Sequence, residues 1–362
     1  MKAKQALDKL ISKQRVALYK PIQVAEILHR ARCEGCSWCK NDPRLTIEDI
    51  RNNLEKYRNP SKRWRDSVTR YLIGQVSTSS QKYQDNLFEK NAIPPKVLAV
   101  LAEENNRHYG VVERYIYQKF RERQQRILRM AKLLEEATVD QFDISTFLAE
   151  FVRDKGIKRS IDKAYEIVVY ALFNTLVKHL RIKVTVSADD TRIDLLRAFE
   201  DFTRLVLGID SKNPTIILRA RLYRAGVTNA ADRGLDMWTN FGPVIQVKHV
   251  SLTDELAEDI CEEVAADRIV IVCKDSDRET IERVIRQLGQ RIQGIIVESQ
   301  LVRWYNQALR GEFAEELGND LLDSLRQEFR NEFPYSTTFE TFYKERGYDR
   351  VPESSSPFWC ED

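Results

Sequence analysis

The sequence predicts an α/β protein: a helical N-terminal domain followed by an α/β/α core on a mixed sheet. Three observations carry that prediction. Up to residue 155 apolar side chains recur at three- and four-residue steps and no convincing strand is present, whereas residues 156–311 alternate apolar β-branched runs with helical stretches. Breakers are scarce, with 13 Gly and 10 Pro in 362 residues, against averages of about 7% and 5%. Charge is divided: residues 1–132 hold 28 Lys and Arg against 14 Asp and Glu, and the remainder 30 against 41, so +14 and −11 lie hidden in an overall +3. A basic N-terminal part suits a polyanion, although solvated helix faces rich in Lys give the same surplus.

Several classes are excluded. No run of about 18 apolar residues exists, which argues against a membrane-spanning helix. The start, MKAKQALDKLISKQ, is charged and periodic and lacks a signal-peptide core, so a cytoplasmic location is expected. The six Cys are then expected as reduced thiols or metal ligands. Neither glycine-rich nucleotide fingerprint, G-x-G-x-x-G or G-x4-G-K-[ST], is present.

In chain order, residues 1–32 read as two helices broken at Pro21, and 33–45 as a loop. Thr46 with Asp49 forms a loose capping box that starts a helix, and Asn59-Pro60 opens another through about Ile73. Pro94-Pro95 opens the next, and 110–136 is a long helix with Val112, Tyr115, Ile116, Phe120, Ile127 and Met130 on its apolar side. Residues 160–180 form a helix apolar on most sides. IKVTVSA is a strand, 191–207 a helix, and 216–224 a strand. Leu235–Trp238 and Val244–Val250 are strands joined by a turn at Thr239–Gly242. Helix 253–266, strand 268–273, helix 277–291, strand 294–298 and helix 299–310 follow as βαβ units. The last 50 residues are acidic and mostly helical, fraying beyond Pro352. Three parts result: 1–155, 156–311 and 312–362.

The chemistry gathers at Gly234–Lys248. Strand side chains alternate, so Gln246 and Lys248 share one face and Ile245 and Val247 the other. The hairpin brings Asp236 beside them. One carboxylate, one amide oxygen and one ammonium suit metal-assisted phosphodiester hydrolysis. Mg²⁺ takes hard oxygen ligands, for which Asp236, Gln246 and the Val247 carbonyl are candidates. Lys248 would orient the attacking water or stabilise transition-state charge. The bland alternative is the polar face of an edge strand.

Asp-x9-Gln-x-Lys between two strands resembles the PD-(D/E)xK nuclease site in its QxK variant. It departs from the pattern in having Leu235 directly before Asp236 and a neutral Gln246. Ala6–Leu28, Tyr57–Asp66, Ser77–Asp85 and Arg233–Trp238 resemble the HaeII family of type II restriction endonucleases. The resemblance implies a PD-(D/E)xK core whose leading helix carries an acidic residue, here Glu166. It also implies a prokaryotic enzyme that cleaves double-stranded DNA with Mg²⁺ at a short GC-rich palindrome, RGCGCY-like. A palindrome implies a homodimer. A cognate DNA methyltransferase is the implied functional partner. A structure-specific repair or junction nuclease, and a non-catalytic DNA-binding protein on a degenerate nuclease fold, remain open.

For DNA contact, Lys62-Arg63-Trp64-Arg65 with Arg58 is a basic-aromatic patch. Ser79, Ser80, Gln81 and Lys82 offer small donors to base edges, or a helix cap. Lys119, Arg121, Arg123, Arg126 and Arg129 suit phosphate tracking or a solvated face. Arg219, Arg221 and Arg224 precede the hairpin and suit approach to the scissile backbone. His29, Cys33, Cys36 and Cys39, spaced H-x3-C-x2-C-x2-C, suit a structural Zn²⁺, free thiols or part of an iron–sulfur loop. Cys261 and Cys273 are expected in the core, and His249 as a packing residue.

Overall fold

The computed structural model describes residues 2–34, 46–77, 84–89, 92–225, 235–352 and 357–359. Helix α1 (Lys2–Ser12) turns Leu7, Leu10 and Ile11 inward, and α2 (Tyr19–Glu34) is buried along most of its length. Pro21 breaks nothing. It sits in the first turn of α2, where a missing N–H is tolerated, and the break falls between Ser12 and Tyr19. Helix α3 (Ile47–Ile73) starts at the expected capping box of Thr46 and Asp49. Asn59-Pro60 opens no new helix, because α3 runs straight through Pro60. Leu54, Val68 and Leu72 are all buried along this one rod, and their packing outweighs the roughly 3 kcal/mol that an interior proline costs. Helix α4 (Pro95–Arg107) opens at Pro94-Pro95 as expected.

Helix α5 (Val111–Glu136) joins two cores. Its first half, Val111–Phe120, packs with α1 to α4. Ile127, Met130, Ala131 and Leu134 of its second half pack with α6 (Ile144–Arg153) and α7 (Ile161–His179).

Beyond α7 the structure departs from the expected core order. Strand β1 (Lys183–Ser187) pairs with β2 (Thr215–Arg219) in a separate two-stranded sheet, with α8 (Ile193–Ala198) between them. The expected single strand 216–224 divides at Ala220–Arg221 into β2 and β3 (Leu222–Arg224), which lie in different sheets. The split has a local cause: the Ala220 N–H bonds to the Ile182 carbonyl, while the Arg221 N–H is captured by the Asn240 side chain.

The main sheet has five strands in the order β3, β4 (Met237–Thr239), β5 (Val244–Ser251), β6 (Ile269–Lys274), β7 (Ile292–Val297). Its first two pairings are antiparallel and its last two parallel, so the sheet is mixed as expected. Crossover helices α9 (Asp254–Glu263) and α10 (Arg278–Leu288) are capped by Thr253 and Asp277. On one face Ile245, Val247 and Val272 pack under α7, α11 (Glu298–Arg310) and α12 (Ala314–Glu332). On the other, Ile269, Ile271 and Cys273 pack with α9 and α10.

The C-terminal part is shared. Helix α12 belongs to the second core, whereas α13 (Phe339–Glu345), Tyr348, Val351 and Trp359 belong to the first. Fraying beyond Pro352 is corrected at Trp359, which is buried against Tyr115 at 5.3 Å between ring centroids.

Candidate active site

The hairpin of β4 and β5 sets the site. Met237 pairs with Ile245 and Trp238 with Val244. One step further along this antiparallel register, Asp236 comes opposite Gln246. The turn needs Gly242 because its φ of 120° is a backbone conformation that side-chain-bearing residues rarely adopt. Arg268 donates to the Phe241 carbonyl at 2.6 Å and holds the turn. Where pairing with β4 ends, the carboxylate takes over: Asp236 Oδ2 accepts the Val247 N–H at 2.8 Å.

Ile245 and Val247 enter the core under α7, as alternation requires. Gln246 and Lys248 pair in register with Ile271 and Cys273, residues of the opposite face. Gln246 is 2% exposed. Its Oε1 is buried without a hydrogen-bond partner among the described residues. A buried amide oxygen left unpaired costs about 1–3 kcal/mol and calls for an explanation. Lys248 is half-buried and makes no ion pair among the described residues.

Helix α7 supplies the second wall. Glu166 is buried and accepts from Lys163 and from Arg224 Nη1 at 3.1 Å. Burial raises the Asp236 pKa, opposed by the Val247 N–H and by the charges of Lys163 and Lys248. Burial likewise raises Glu166, opposed first by Lys163 and reinforced by Asp236. Asp236, Glu166, Lys163 and Lys248 thus form one electrostatic group. Lys163 was not among the residues expected here. The signal was there, since Lys163 stands three residues before Glu166 on the same helix face.

Arg224 is a correction. Burial works against its charge, but Glu332, Glu328 and Glu166 hold its pKa above the ordinary value. It bonds Glu328 and Glu332 at 2.8 Å each, so it is a buried tie between α7 and α12 and not a contact to DNA backbone. Arg219 and Arg221 are exposed and line a hollow with Lys178 and Arg181.

The basic-aromatic patch is also corrected. Arg65 is 1% exposed and bonds Asp66, Gln23 and Gln84. Lys62 is buried against Asp85, and Arg58 pairs with Glu55 and the Asp85 carbonyl. Of the four cations only Arg63 is exposed. These charges bind α3 to its neighbours because acceptors stand within reach inside the fold. Along α5, Arg123 donates to the carbonyls of Ile11, Gln14 and Arg15, which corrects its assignment to a DNA-facing row. Ser79, Ser80, Gln81 and Lys82 lie outside the described residues.

The zinc expectation gains no support. Cys36 and Cys39 lie outside the described residues. His29 Nδ1 is 3.1 Å from Glu113 Oε2, and Cys33 Sγ is 3.9 Å from His29 Nε2. Among the described residues no three His, Cys, Asp or Glu side chains are grouped to hold a metal ion. Cys261 and Cys273 are buried as expected. His249 packs on Tyr165 at 5.1 Å, and burial lowers its pKa, with Lys274 adding to the effect.

Comparison with known proteins gives a consistent result. A family model described as HaeII restriction endonuclease matches residues 3–348. Type II restriction enzyme HaeII of Haemophilus aegyptius is 49% identical over 353 residues, covering 96% of this chain and 97% of the relative. Type II restriction enzyme NgoBI of Neisseria gonorrhoeae is 47% identical over 352 residues, 96% of each chain. No solved structure matches the chain.

Proposed function

Because the chain belongs to the HaeII restriction endonuclease family, we propose that it is a homodimeric, Mg²⁺-dependent enzyme that cuts both DNA strands at a short GC-rich palindrome, RGCGCY-like. A cognate DNA methyltransferase would protect the host sites, and the cytoplasm would hold both. No helix among the described residues is long and apolar enough to cross a membrane.

The observation that carries this reading is the buried, unpartnered Gln246 Oε1 in the strand against which Asp236 is bonded. The donor chemistry fits a hard cation: one carboxylate, one amide oxygen and the Val247 carbonyl would hold Mg²⁺ and leave other places to water or phosphate. That ion, when bound, supplies Lewis acidity and positive charge near the phosphate. The chain's own groups do the rest. Lys248 orients the attacking water and stabilises charge building on the phosphate oxygens. Glu166 holds Lys163 by hydrogen bond, and Lys163 in turn lowers the cost of ionising Asp236. The core is then of PD-(D/E)xK type, with Gln246 in place of an acid. Arg63, Arg219 and Arg221 are the exposed cations offered to phosphate, and Ser79, Ser80, Gln81 and Lys82 the groups offered to base edges.

The test is digestion of a plasmid of known sequence with and without Mg²⁺, followed by sequencing of the fragment ends. A fixed set of fragments that requires the ion is expected. DNA binding without cutting under any divalent ion would overturn the catalytic reading. Cuts that follow DNA structure instead of sequence would overturn the palindrome.

A further inference from the structure

The stretch 180–219 stands apart from the rest of the molecule. None of its residues joins any of the three apolar cores. Among the described residues, the side-chain hydrogen bonds and ion pairs of residues 183–218 are all made to other members of the same stretch, such as Ser187 to Thr215, Ser211 to Glu200 and Arg204 to Glu200. It is an arm: β1 and β2 form its stem, from Lys183↔Arg219 to Ser187↔Thr215. α8 and a π-helical turn at Thr203–Leu207 form its tip. A two-stranded stem is marginal on its own in water.

The arm is also where the molecule exposes its apolar surface. Of the 21 large apolar side chains exposed among the described residues, 11 fall in these forty positions, at 38 to 85% exposure. They include Phe199, Phe202, Leu205, Val206, Ile217 and Leu218. Summed over the arm they expose on the order of 1,000 Å², against the ~800 Å² that each partner gives to a standard interface. Such a surface needs a cover.

Charge decides what covers it. Beyond the root, where Arg219 is left to phosphate, residues 183–218 carry five Lys and Arg and six Asp and Glu. A nearly balanced surface has little attraction for a polyanion, so DNA is a poor occupant. A surface with both signs and a large apolar share is complementary to itself, which is what a two-fold contact between identical copies requires. The apolar surface also continues into the body. Leu180, at the root of the arm, lines an apolar cavity of about 650 Å³ together with Phe173, Trp304 and Phe313.

We infer that residues 180–219 are the dimerisation arm, with the exposed apolar side chains of one arm seated against those of the same arm in a second copy. This deepens the homodimer part of the function proposed above, but its support is the arm's own surface. A two-fold contact of this kind gives the dimer two copies of the Asp236 site, one for each strand of a palindrome.

Sedimentation equilibrium of the full chain without DNA tests it. The wild type is expected at twice its 42.3 kDa chain mass. The double variant Leu205→Glu/Val206→Glu should sediment as a monomer, with self-association weakened by roughly 100-fold or more, because its dimer would have to bury unpaired carboxylates. Phe199→Ser/Phe202→Ser should weaken it in the same direction. These side chains are at least 55% exposed, so circular-dichroism spectra of both variants should match the wild type. A wild type that stays monomeric at all concentrations overturns the arm. So do folded variants that dimerise with native strength, or variants that remain dimers but lose DNA binding. Plasmid digestion separates the two proposals. Cutting with dimeric variants sinks the arm alone; a dimer that loses its partner on arm mutation but never cuts DNA sinks the cleavage reading alone.

Discussion

Two buried acidic groups of this protein are treated in opposite ways. In the helical region Glu113 accepts from Arg32 at 2.9 and 3.1 Å, Asn105 at 2.7 Å and Tyr348 at 2.9 Å, with His29 Nδ1 at 3.1 Å. Burial opposes its charge, but these partners hold its pKa at about 2. Beside β5, the middle strand of the main sheet, Asp236 has one main-chain donor, and burial leaves its pKa raised; burial also raises Glu166, despite Lys163 and Arg224. Burial is common to both, so donors decide the outcome. The helical region neutralises its charges internally, Arg65 and Lys62 included. The main sheet leaves Asp236 with one donor and the Gln246 oxygen with none among the described residues, which is the condition of a group held for a ligand from outside.

The sharpest test is to remove the under-partnered groups. Asp236→Ala and Lys248→Ala should each lower plasmid cleavage by about 10³-fold or more, while gel-shift affinity for DNA persists. Either variant cutting at the wild-type rate ends the site assignment. The matching change in the other region is Glu113→Ala. It strands Arg32 among buried partners, and urea unfolding should show a loss of about 3–5 kcal/mol. Activity per folded molecule should stay close to normal. If Glu113→Ala leaves the unfolding midpoint in place and instead abolishes cutting, the contrast between the regions fails.

How much of this was legible beforehand follows from the range of each force. Helices Val111–Glu136 and Ile161–His179, the Thr46–Asp49 box and the alternation of Ile245, Gln246, Val247 and Lys248 are local patterns, and the structure keeps them. Pro60 was misread because propensity is local, whereas the packing that carries α3 through it is not. The β-branched run at 183–187 marks a strand without saying which sheet it joins, so the arm was hidden within an expected core. Arg65 and Arg123 show that a basic residue in sequence does not declare whether its partner is a phosphate or a neighbouring carbonyl. Lys163 was overlooked because its importance lies in a charge group formed only when α7 meets the sheet.

Gln246→Ala gives a smaller and more discriminating effect. A neutral ligand contributes less than a charged one, so the variant should need more Mg²⁺ for half-maximal cutting, by roughly 10–100-fold. The same substitution also removes an unpaired buried oxygen, so the metal-free protein should lose little stability beyond its packing. An unchanged Mg²⁺ titration would mean that Gln246 never meets the ion and that its orphaned oxygen is a packing defect.

The finest effect is on stability and has the opposite sign to the loss of activity. A carboxyl whose folded pKa is raised binds its proton more tightly in the folded state than in the unfolded chain. Its contribution to stability is present below the unfolded pKa and is lost as pH rises through the folded one. Asp236 and Glu166 are of this kind. Glu113 is the reverse: its contribution is present above the unfolded value and lost as pH falls towards about 2. Asp236→Asn removes a buried charge while keeping an acceptor for the Val247 N–H. In metal-free buffer near neutral pH it should therefore raise stability by roughly 0.5–2 kcal/mol, the usual gain when a strained functional group is relieved. The gain should shrink on the acid side, where the wild-type carboxyl is protonated. Added Mg²⁺ should stabilise the wild type and not the variant. Thermal unfolding at several pH values, with and without the ion, reads all three. A variant less stable than wild type near neutral pH would show Asp236 to be a satisfied structural carboxylate like Glu113, and the two regions would then not differ in kind.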